Sequence, residues 1–120
     1  MTVWDVEFTS EFERWWQTLT PGEQEGVYAS VDLLRVLGPS LPRPHADVVH
    51  GSRHANMKEL RVQHRGHPLR VFFAFDPRRC AILLVGGDKT GDKRFYGRMI
   101  SLADRLYDAH LAQLKKEGLI

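Results

Sequence analysis

Two arginines in neighbouring predicted strands have the type and spacing that suit chemistry on a phosphate. Arg61 and Arg70 lie on either side of a predicted turn at residues 65–66, and a hairpin centred there makes them cross-strand neighbours. Adjacent guanidinium groups repel each other and are costly to bury. The pair therefore indicates either a clamp whose fork geometry matches a phosphate, or two surface arginines of which one pairs with Glu59.

A glycine-rich basic segment, GGDKTGDKRFYGR at residues 86–98, follows the third predicted strand of the sheet and is expected at the same end as the arginine pair. Gly86 and Gly87 are expected to let the backbone approach a ligand closely, and Asp92 to cap the next helix. The spacing matches neither a Walker loop nor a dinucleotide fingerprint. The segment therefore indicates a phosphate site only in combination with Arg61 and Arg70.

Other chemistries find little support in the sequence. His50 and His54 have the spacing of a helical metal pair, but the glycine and serine between them predict a turn or a strand, and no Cys/His cluster accompanies them. Motifs of serine or cysteine hydrolases are missing as well. Cys80 is the only cysteine, so no intramolecular disulfide forms, and it is expected in the core. We therefore expect neither a metal nor a cofactor.

Charge is distributed unevenly along the chain, although the net charge is only +2. Residues 1–42 carry seven acidic and two basic side chains, whereas residues 43–100 carry twelve basic and five acidic ones. The middle of the chain is expected to meet a polyanion and the beginning a basic partner; a solvated surface of mixed charge is the alternative. Neither a transmembrane segment nor a signal peptide is predicted, so we expect a cytoplasmic protein.

Two helices are predicted near the beginning of the chain, after a strand over residues 3–8. Ser10 with Glu13 forms a capping box that begins the first helix, and Thr20 with Glu23 forms a second box that begins the next. A Gly-Pro pair ends the second helix. The two helices are expected to form an antiparallel hairpin.

The hydrophobic period changes from helical to strand-like after a proline-rich segment, residues 39–48, that is predicted to be a loop. Three strands are predicted in the segments NMKELRVQH, LRVFFAF and CAILLVGG, and the last is apolar on both faces, as a central strand requires. An amphipathic helix over residues 92–116 follows. Residues 1–120 are therefore expected to form one α+β domain, ordered β-α-α-β-β-β-α, with an antiparallel sheet packed against helices.

The segments KELR, LRVFF and LLVGGDKTGDK together resemble the RelE/ParE superfamily of type II toxins, and most of all its HigB-type, phage Gp49-like members. The resemblance covers residues 41–111, and the preceding helical hairpin fits it in order and length. It implies a small antiparallel sheet with an N-terminal helical hairpin and a C-terminal helix. It also implies a toxin that a cognate antitoxin, a helix-turn-helix protein of the HigA type, neutralises.

The ribonuclease members of this superfamily cleave mRNA, usually on the ribosome and without a metal, through attack of the ribose 2′-hydroxyl on the adjacent phosphate. The resemblance implies catalytic roles for Arg61, Arg70, Lys89 and Lys93. Arginines would stabilise the charge that develops on the phosphate, and a lysine can take up a proton where neighbouring cations lower its pKa. Five further residues are expected to bind RNA because of the resemblance, their positive charge or their aromatic ring: Lys58, Arg65, Arg94, Phe95 and Tyr96.

Two departures from the pattern of these relatives leave other functions open. Gly87 and Asp88 stand at positions where relatives often have an aromatic residue and a lysine, and Val85 stands where they often have a histidine. A non-catalytic, ParE-like inhibitor of gyrase and a degenerate RNA-binding relative are therefore the alternatives to an mRNA endoribonuclease. The acidic helical hairpin, with Trp15 and Trp16, and the basic cleft are both candidate faces for the antitoxin.

Overall fold

The computed structural model describes residues 3–120 as a five-stranded sheet with helices on both faces. The α+β class and the order β-α-α-β-β-β-α are confirmed, with one short strand and one 3-10 turn in addition. No helix in this range is long and apolar enough to span a membrane. The elements in chain order are β1 (Val6–Phe8), α1 (Ser10–Gln17), α2 (Pro21–Leu37), a 3-10 turn (Gly38–Ser40), β2 (Ala46–Val48), β3 (Lys58–His64), β4 (His67–Phe75), β5 (Ala81–Asp88) and α3 (Phe95–Lys116).

The strands lie in the order β1-β5-β4-β3-β2, with β1 parallel to β5 and all other pairs antiparallel. The predicted antiparallel meander is therefore correct for β3, β4 and β5, whereas the edge strand β1 is parallel. The loop predicted over residues 39–48 is wrong at its end, because β2 pairs there with β3. A strand of three residues after several prolines is too short to show a period of two.

Two of the three helix starts differ from the sequence prediction, by one residue for α1 and three for α3. Thr9, not Ser10, caps α1: its backbone is extended, and its hydroxyl accepts a hydrogen bond from the Phe12 amide at 3.1 Å. The Thr20–Glu23 capping box at the start of α2 is confirmed. α3 begins at Phe95, and Asp92 bonds the Arg94 amide at 3.0 Å before the helix starts, so Asp92 is not its cap.

The sheet separates two hydrophobic clusters, one under the α1–α2 hairpin and one under α3. Phe72 and Phe73, adjacent on β4, are both almost fully buried and belong to different clusters. This alternation explains why β4 and β5 are apolar on both faces. Cys80 is buried as predicted, and burial raises the pKa of its thiol to about 12.

Gly86 and Gly87 serve the packing of other elements on β5, and their close approach to a ligand stays a prediction. β5 continues through both residues to Asp88, and neither has a positive φ. A Cβ atom on Gly86 would overlap the ring of Trp15 from the helical hairpin, and one on Gly87 would lie 2.9 Å from the ring of Phe95. The two glycines therefore let elements from both faces approach β5 closely.

We predict opposite effects on stability from the same substitution at two glycines. Gly86→Ala should lower the free energy of unfolding by about 1–3 kcal/mol, because the new methyl group collides with Trp15. Gly97→Ala should raise it by about 0.4–1 kcal/mol, because Gly97 lies in α3 with no atom near the position of a Cβ. Urea unfolding followed by circular dichroism measures both values. Equal stability of the two variants would contradict the packing role of Gly86.

Candidate functional site

The β3–β4 hairpin brings the two predicted arginines together. Arg65 and Gly66 both have positive φ, 48° and 81°, which are the torsions of a two-residue hairpin turn. His64 and His67 form the first pair, and the same register makes Arg61 the direct partner of Arg70. The predicted cross-strand neighbourhood is therefore confirmed.

A buried carboxylate, Glu59, lies between these arginines and α3. Its Oε1 atom is 3.3 Å from Nε of Arg70 and accepts a hydrogen bond from the Tyr96 hydroxyl at 2.7 Å, while Oε2 is 3.8 Å from a terminal nitrogen of Arg61. Only 4% of the Glu59 side chain is exposed. The carboxylate thus offsets the repulsion between the two guanidinium groups. The sequence suggested Glu59 as a partner of one arginine; the structure makes it a partner of both.

Arg70 is the more deeply buried of the pair. Its side chain is only 10% exposed, and its Nη1 atom donates a hydrogen bond to the Leu69 carbonyl at 3.0 Å. Arg61 is more accessible, with 38% of its side chain exposed, yet its Nε atom is shielded from solvent and has no hydrogen-bond partner within residues 3–120. A buried donor without an acceptor is unusual in a folded protein.

Tyr96 and Lys89 border the same cluster. Burial and the hydrogen bond that Tyr96 donates to Glu59 raise the pKa of the phenol, so Tyr96 stays protonated at neutral pH. The ammonium group of Lys89 lies 5.4 Å from the centre of the Tyr96 ring, within the range of a cation–π contact. We call Glu59, Arg61, Arg70, Lys89 and Tyr96 the basic cluster.

Two cavities open at the basic cluster, and Arg61 lines both. One of about 340 Å³ also has Glu59, Lys89 and Tyr96 in its wall, and one of about 460 Å³ also has Arg70. Asp47 lines the smaller cavity, where its carboxylate is 3.3 Å from Arg61. The positive charge of the cluster is therefore partly neutralised.

Three further predicted residues lie around the basic cluster without joining it. Arg65 is exposed at the tip of the β3–β4 turn, about 13 Å along the strand from Arg61. Lys93 and Arg94 are exposed in the segment between β5 and α3. Within residues 3–120 none of the three makes a hydrogen bond or an ion pair with the cluster.

Two predicted RNA-binding residues are placed where they cannot serve the cluster. Lys58 lies on the other face of β3 from Glu59 and Arg61, and its ammonium group reaches towards the Pro39 carbonyl at 3.4 Å. Phe95 is 2% exposed and packs against Phe72, so it has no free face for a base. Lys58 lies away from the cluster because side chains alternate along a strand, and its role in RNA binding stays a prediction; Phe95 cannot offer a stacking face because its position on α3 faces the core.

Other polar residues near the predicted site have structural partners. His67 and Thr90 both bond Asp88; partial burial opposes its ionisation, but these hydrogen bonds hold the pKa of the carboxyl below its usual value. His54 lies against α3, where its Nε2 atom is 2.7 Å from Asp108. In the described part of the chain, no three His, Cys, Asp or Glu residues are grouped so as to hold a metal ion.

The arrangement of the sheet and helices is that of RelE. A free-state structure of an Escherichia coli RelE double mutant matches with a TM-score of 0.59 at 10% identity, over 86% of this chain and 96% of that one. An archaeal RelE–RelB complex from Pyrococcus horikoshii matches with a TM-score of 0.54 at 17% identity, over 76% of this chain and 99% of that one. An intact E. coli RelBE toxin–antitoxin complex matches with a TM-score of 0.50 at 12% identity, over 70% of this chain and 94% of that one. At these identities the likeness concerns the fold alone, and it defines a RelE-like protein.

Sequence relatives define the family more narrowly. The family model "Phage derived protein Gp49-like (DUF891)" matches residues 14–108. Putative toxin HigB3 of Mycobacterium tuberculosis is 46% identical over 103 residues, 85% of this chain and 89% of that protein. Putative toxin HigB2 of the same organism is 42% identical over 115 residues, 92% of this chain but 57% of that protein. The chain belongs to the Gp49-like family of HigB-type toxins in the RelE superfamily, as the sequence resemblance implied.

We predict that removing the buried carboxylate of Glu59 lowers the free energy of unfolding far more than removing an exposed carboxylate does. Glu59→Ala should lower the free energy of unfolding by about 3–5 kcal/mol, because it leaves the buried Arg70 without its counter-ion. Glu59→Gln should cost less, since the amide oxygen still accepts the Tyr96 hydroxyl. The matched control is Asp32→Ala, which breaks an exposed pair with Arg35 at 3.7 Å and should cost less than about 1 kcal/mol.

Denaturant titration of the four proteins, wild type included, gives these values directly. If Glu59→Ala were no more costly than Asp32→Ala, the carboxylate would not be holding the arginines in place.

Proposed function

We propose that this toxin is a metal-independent endoribonuclease that cleaves mRNA on the ribosome, and hence acts in the cytoplasm. We propose further that a cognate antitoxin of the helix-turn-helix, HigA-like type neutralises it. The observation that carries the first proposal is the Arg61–Arg70 pair, held on a buried carboxylate with an unpartnered guanidinium nitrogen beside two cavities. The E. coli RelBE toxin–antitoxin complex, whose toxin shares this fold, supports an antitoxin partner, and the helix-turn-helix type comes from the sequence resemblance.

The proposed reaction depends on stabilising the negative charge that develops on the phosphate. The ribose 2′-hydroxyl attacks the adjacent phosphorus, the bond to the 5′-oxygen breaks, and a 2′,3′-cyclic phosphate and a 5′-hydroxyl result. Negative charge grows on the phosphoryl oxygens during the attack, and donors already fixed in place stabilise it well. Arg61 and Arg70 are proposed to hold the scissile phosphate, because the guanidinium fork matches its oxygens.

Two proton transfers accompany this reaction: one leaves the 2′-hydroxyl and one reaches the 5′-oxygen. Lys89 is proposed to assist one of them, since its ammonium group is held over Tyr96 beside the smaller cavity. Tyr96 suits donation better than abstraction, because it stays protonated at neutral pH. Lys93 is proposed as the second lysine of the reaction if RNA draws its loop inwards. Arg65 and Arg94 are proposed to bind flanking phosphates.

We predict translation-linked cuts in mRNA that depend on the arginine pair. In a cell-free translation extract with transcript ends mapped, wild-type protein should cut translated mRNA, and Arg70→Ala should lower the rate by at least about a hundredfold. Arg70→Lys should retain little activity, because lysine lacks the planar fork. Arg105→Ala is the control: it removes an equal charge from an exposed position on α3 and should leave cutting unchanged.

Three outcomes would count against parts of this proposal. Intact mRNA together with trapped gyrase–DNA complexes would replace it with the ParE-like function. Equal cutting of untranslated RNA would remove the ribosome from the mechanism. Bound but uncut RNA would leave a degenerate RNA-binding relative.

We also predict that Arg61 contributes one phosphate contact to RNA affinity. Binding of a short single-stranded RNA, measured by anisotropy at several salt concentrations, should weaken for Arg61→Ala, and the slope of log K against log salt should fall by about 0.7. Lys58→Ala is the matched control, since its side chain lies on the opposite face of β3. An unchanged slope for Arg61→Ala would exclude the phosphate contact.

A further inference from the structure

The larger cavity at the basic cluster contains a histidine, His45, that none of the steps proposed above uses. His45 lines this cavity of about 460 Å³ together with both arginines, and the other polar side chains in its wall are those of Ser30 and Gln63. Among these side-chain types, only imidazole takes up and releases a proton near neutral pH. The cavity therefore contains one candidate for proton transfer beside the arginine pair.

Strand pairing places His45 on the same face of the sheet as the arginine pair. The β2–β3 register, in which Ala46 pairs with Leu60, extends by one residue beyond β2, because the Arg61 amide donates a hydrogen bond to the His45 carbonyl at 2.9 Å. Residues directly opposite each other on antiparallel strands have their side chains on the same face. His45, Arg61 and Arg70 therefore form one row across three neighbouring segments of the sheet.

His45 differs from the histidines that have a structural partner. Three of the six histidines, His54, His67 and His110, each have a ring nitrogen within 3.1 Å of a carboxylate oxygen. The side chain of His45 is exposed, and its ring makes no hydrogen bond with any other residue of the range 3–120. Its ring nitrogens are therefore free to bond a substrate.

The two cavities at the basic cluster contain different kinds of proton-transfer group. The smaller cavity contains the ammonium group of Lys89 and the hydroxyl of Tyr96, which both carry a proton to donate. The larger cavity contains His45, and Arg61 lines both, so a phosphate held by Arg61 borders both. An in-line displacement needs an acceptor at the attacking oxygen and a donor at the leaving oxygen, on opposite sides of phosphorus. The two cavities supply these groups separately.

We propose that His45 is the general base of the reaction, the group that takes the proton from the 2′-hydroxyl as this oxygen attacks phosphorus. The assignment rests on the proposed endoribonuclease function and deepens it. The unprotonated ring nitrogen accepts the proton while the 2′-oxygen forms its bond to phosphorus. The bond from phosphorus to the 5′-oxygen breaks, and that oxygen takes a proton from a donor in the smaller cavity. Exchange with water then restores both groups.

The charges around His45 do not change near neutral pH. Arg61 on β3 and Arg70 on β4 face it across the cavity, and on its own segment Arg43 pairs with Asp47 at 3.1 Å. The residues that α2 contributes to the cavity carry no charge. Arginine and aspartate keep their charge between about pH 5 and 8. A change of rate in this range that originates in the larger cavity therefore reports on His45.

The test follows single-turnover cutting of an mRNA bound to purified ribosomes between about pH 5 and 8. The wild-type rate should fall as the pH drops, because an imidazole that has taken a proton from solvent cannot accept one from the hydroxyl. His45→Gln should lower the rate at least about a hundredfold and lose this pH dependence. Added imidazole should accelerate His45→Gly at least about tenfold, since it can enter the open cavity and accept the proton.

A sulfur-substituted mRNA distinguishes a general base from a general acid. When sulfur replaces the 5′-oxygen at the cut, the leaving thiolate needs no proton, so a variant without the acid recovers and a variant without the base does not. His45→Gln should stay at least about a hundredfold slower than wild type on this mRNA. Recovery to the wild-type rate would make His45 an acid and overturn the proposal.

An exposed histidine outside both cavities provides the matched control. His67 has half of its side chain exposed and lines neither cavity, so His67→Gln should cut as wild type does at every pH. Anisotropy should show that His45→Gln binds a short RNA within about twofold of wild type, because a general base acts on the chemical step. Circular dichroism checks that each variant is folded.

Three other outcomes would overturn the assignment in distinguishable ways. A pH dependence that His45→Gln retains would exclude His45 as the base and leave the nuclease function in place. If His50→Gln removed the dependence instead, the base would lie in the smaller cavity, which His50 lines. No cutting by the wild-type chain at any pH would overturn the proposed function, and the role of His45 with it.

Discussion

The buried carboxylate of Glu59 is the interaction on which the candidate site of this molecule depends. The register of the β3–β4 hairpin places Arg61 opposite Arg70. Two neighbouring guanidinium groups repel each other unless an anion lies beside them. Glu59, on β3 with Arg61, supplies that anion, and the hydroxyl of Tyr96 on α3 donates a hydrogen bond to it. A strand pair and a helix thus meet at one carboxylate, which fixes the positions of both arginines.

This arrangement gives the sheet two different surfaces. The α3 side carries the smaller cavity of the basic cluster, the larger cavity reaches Gly26 and Ser30 of α2, and the hairpin side also carries an apolar groove with Asp5 and Glu13 in its wall. Both rest on the same central strands, whose side chains are buried on each face. Charges from the two parts of the sequence meet in the folded molecule: Arg78 pairs with Glu7 at 2.9 Å, and the guanidinium of Arg79 lies over the ring of Trp4.

Periodicity predicts most of this fold, because the long elements bury one stripe or both faces. It fails for short elements and at helix ends. β2 has only three residues and shows no period, and Thr9, not Ser10, caps α1. Phe95 lies four residues before Met99 on the buried face of α3, so the helical period places it in the core, while Tyr96 reaches Glu59. The arginine pair follows from turn symmetry, whereas the central place of Glu59 depends on a helix far along the chain.

The alternation of side chains along β3 also determines which changes in length this protein tolerates. Glu59 and Arg61 face α3, while Leu60 and Val62 are buried under the helical hairpin. Inserting or deleting one residue in the strand would exchange these sets, because register shifts of one residue turn every side chain to the other face. Substitutions can alter either surface separately, but a single-codon insertion or deletion within β3 would disrupt both at once. Relatives should therefore differ in length mainly outside this strand.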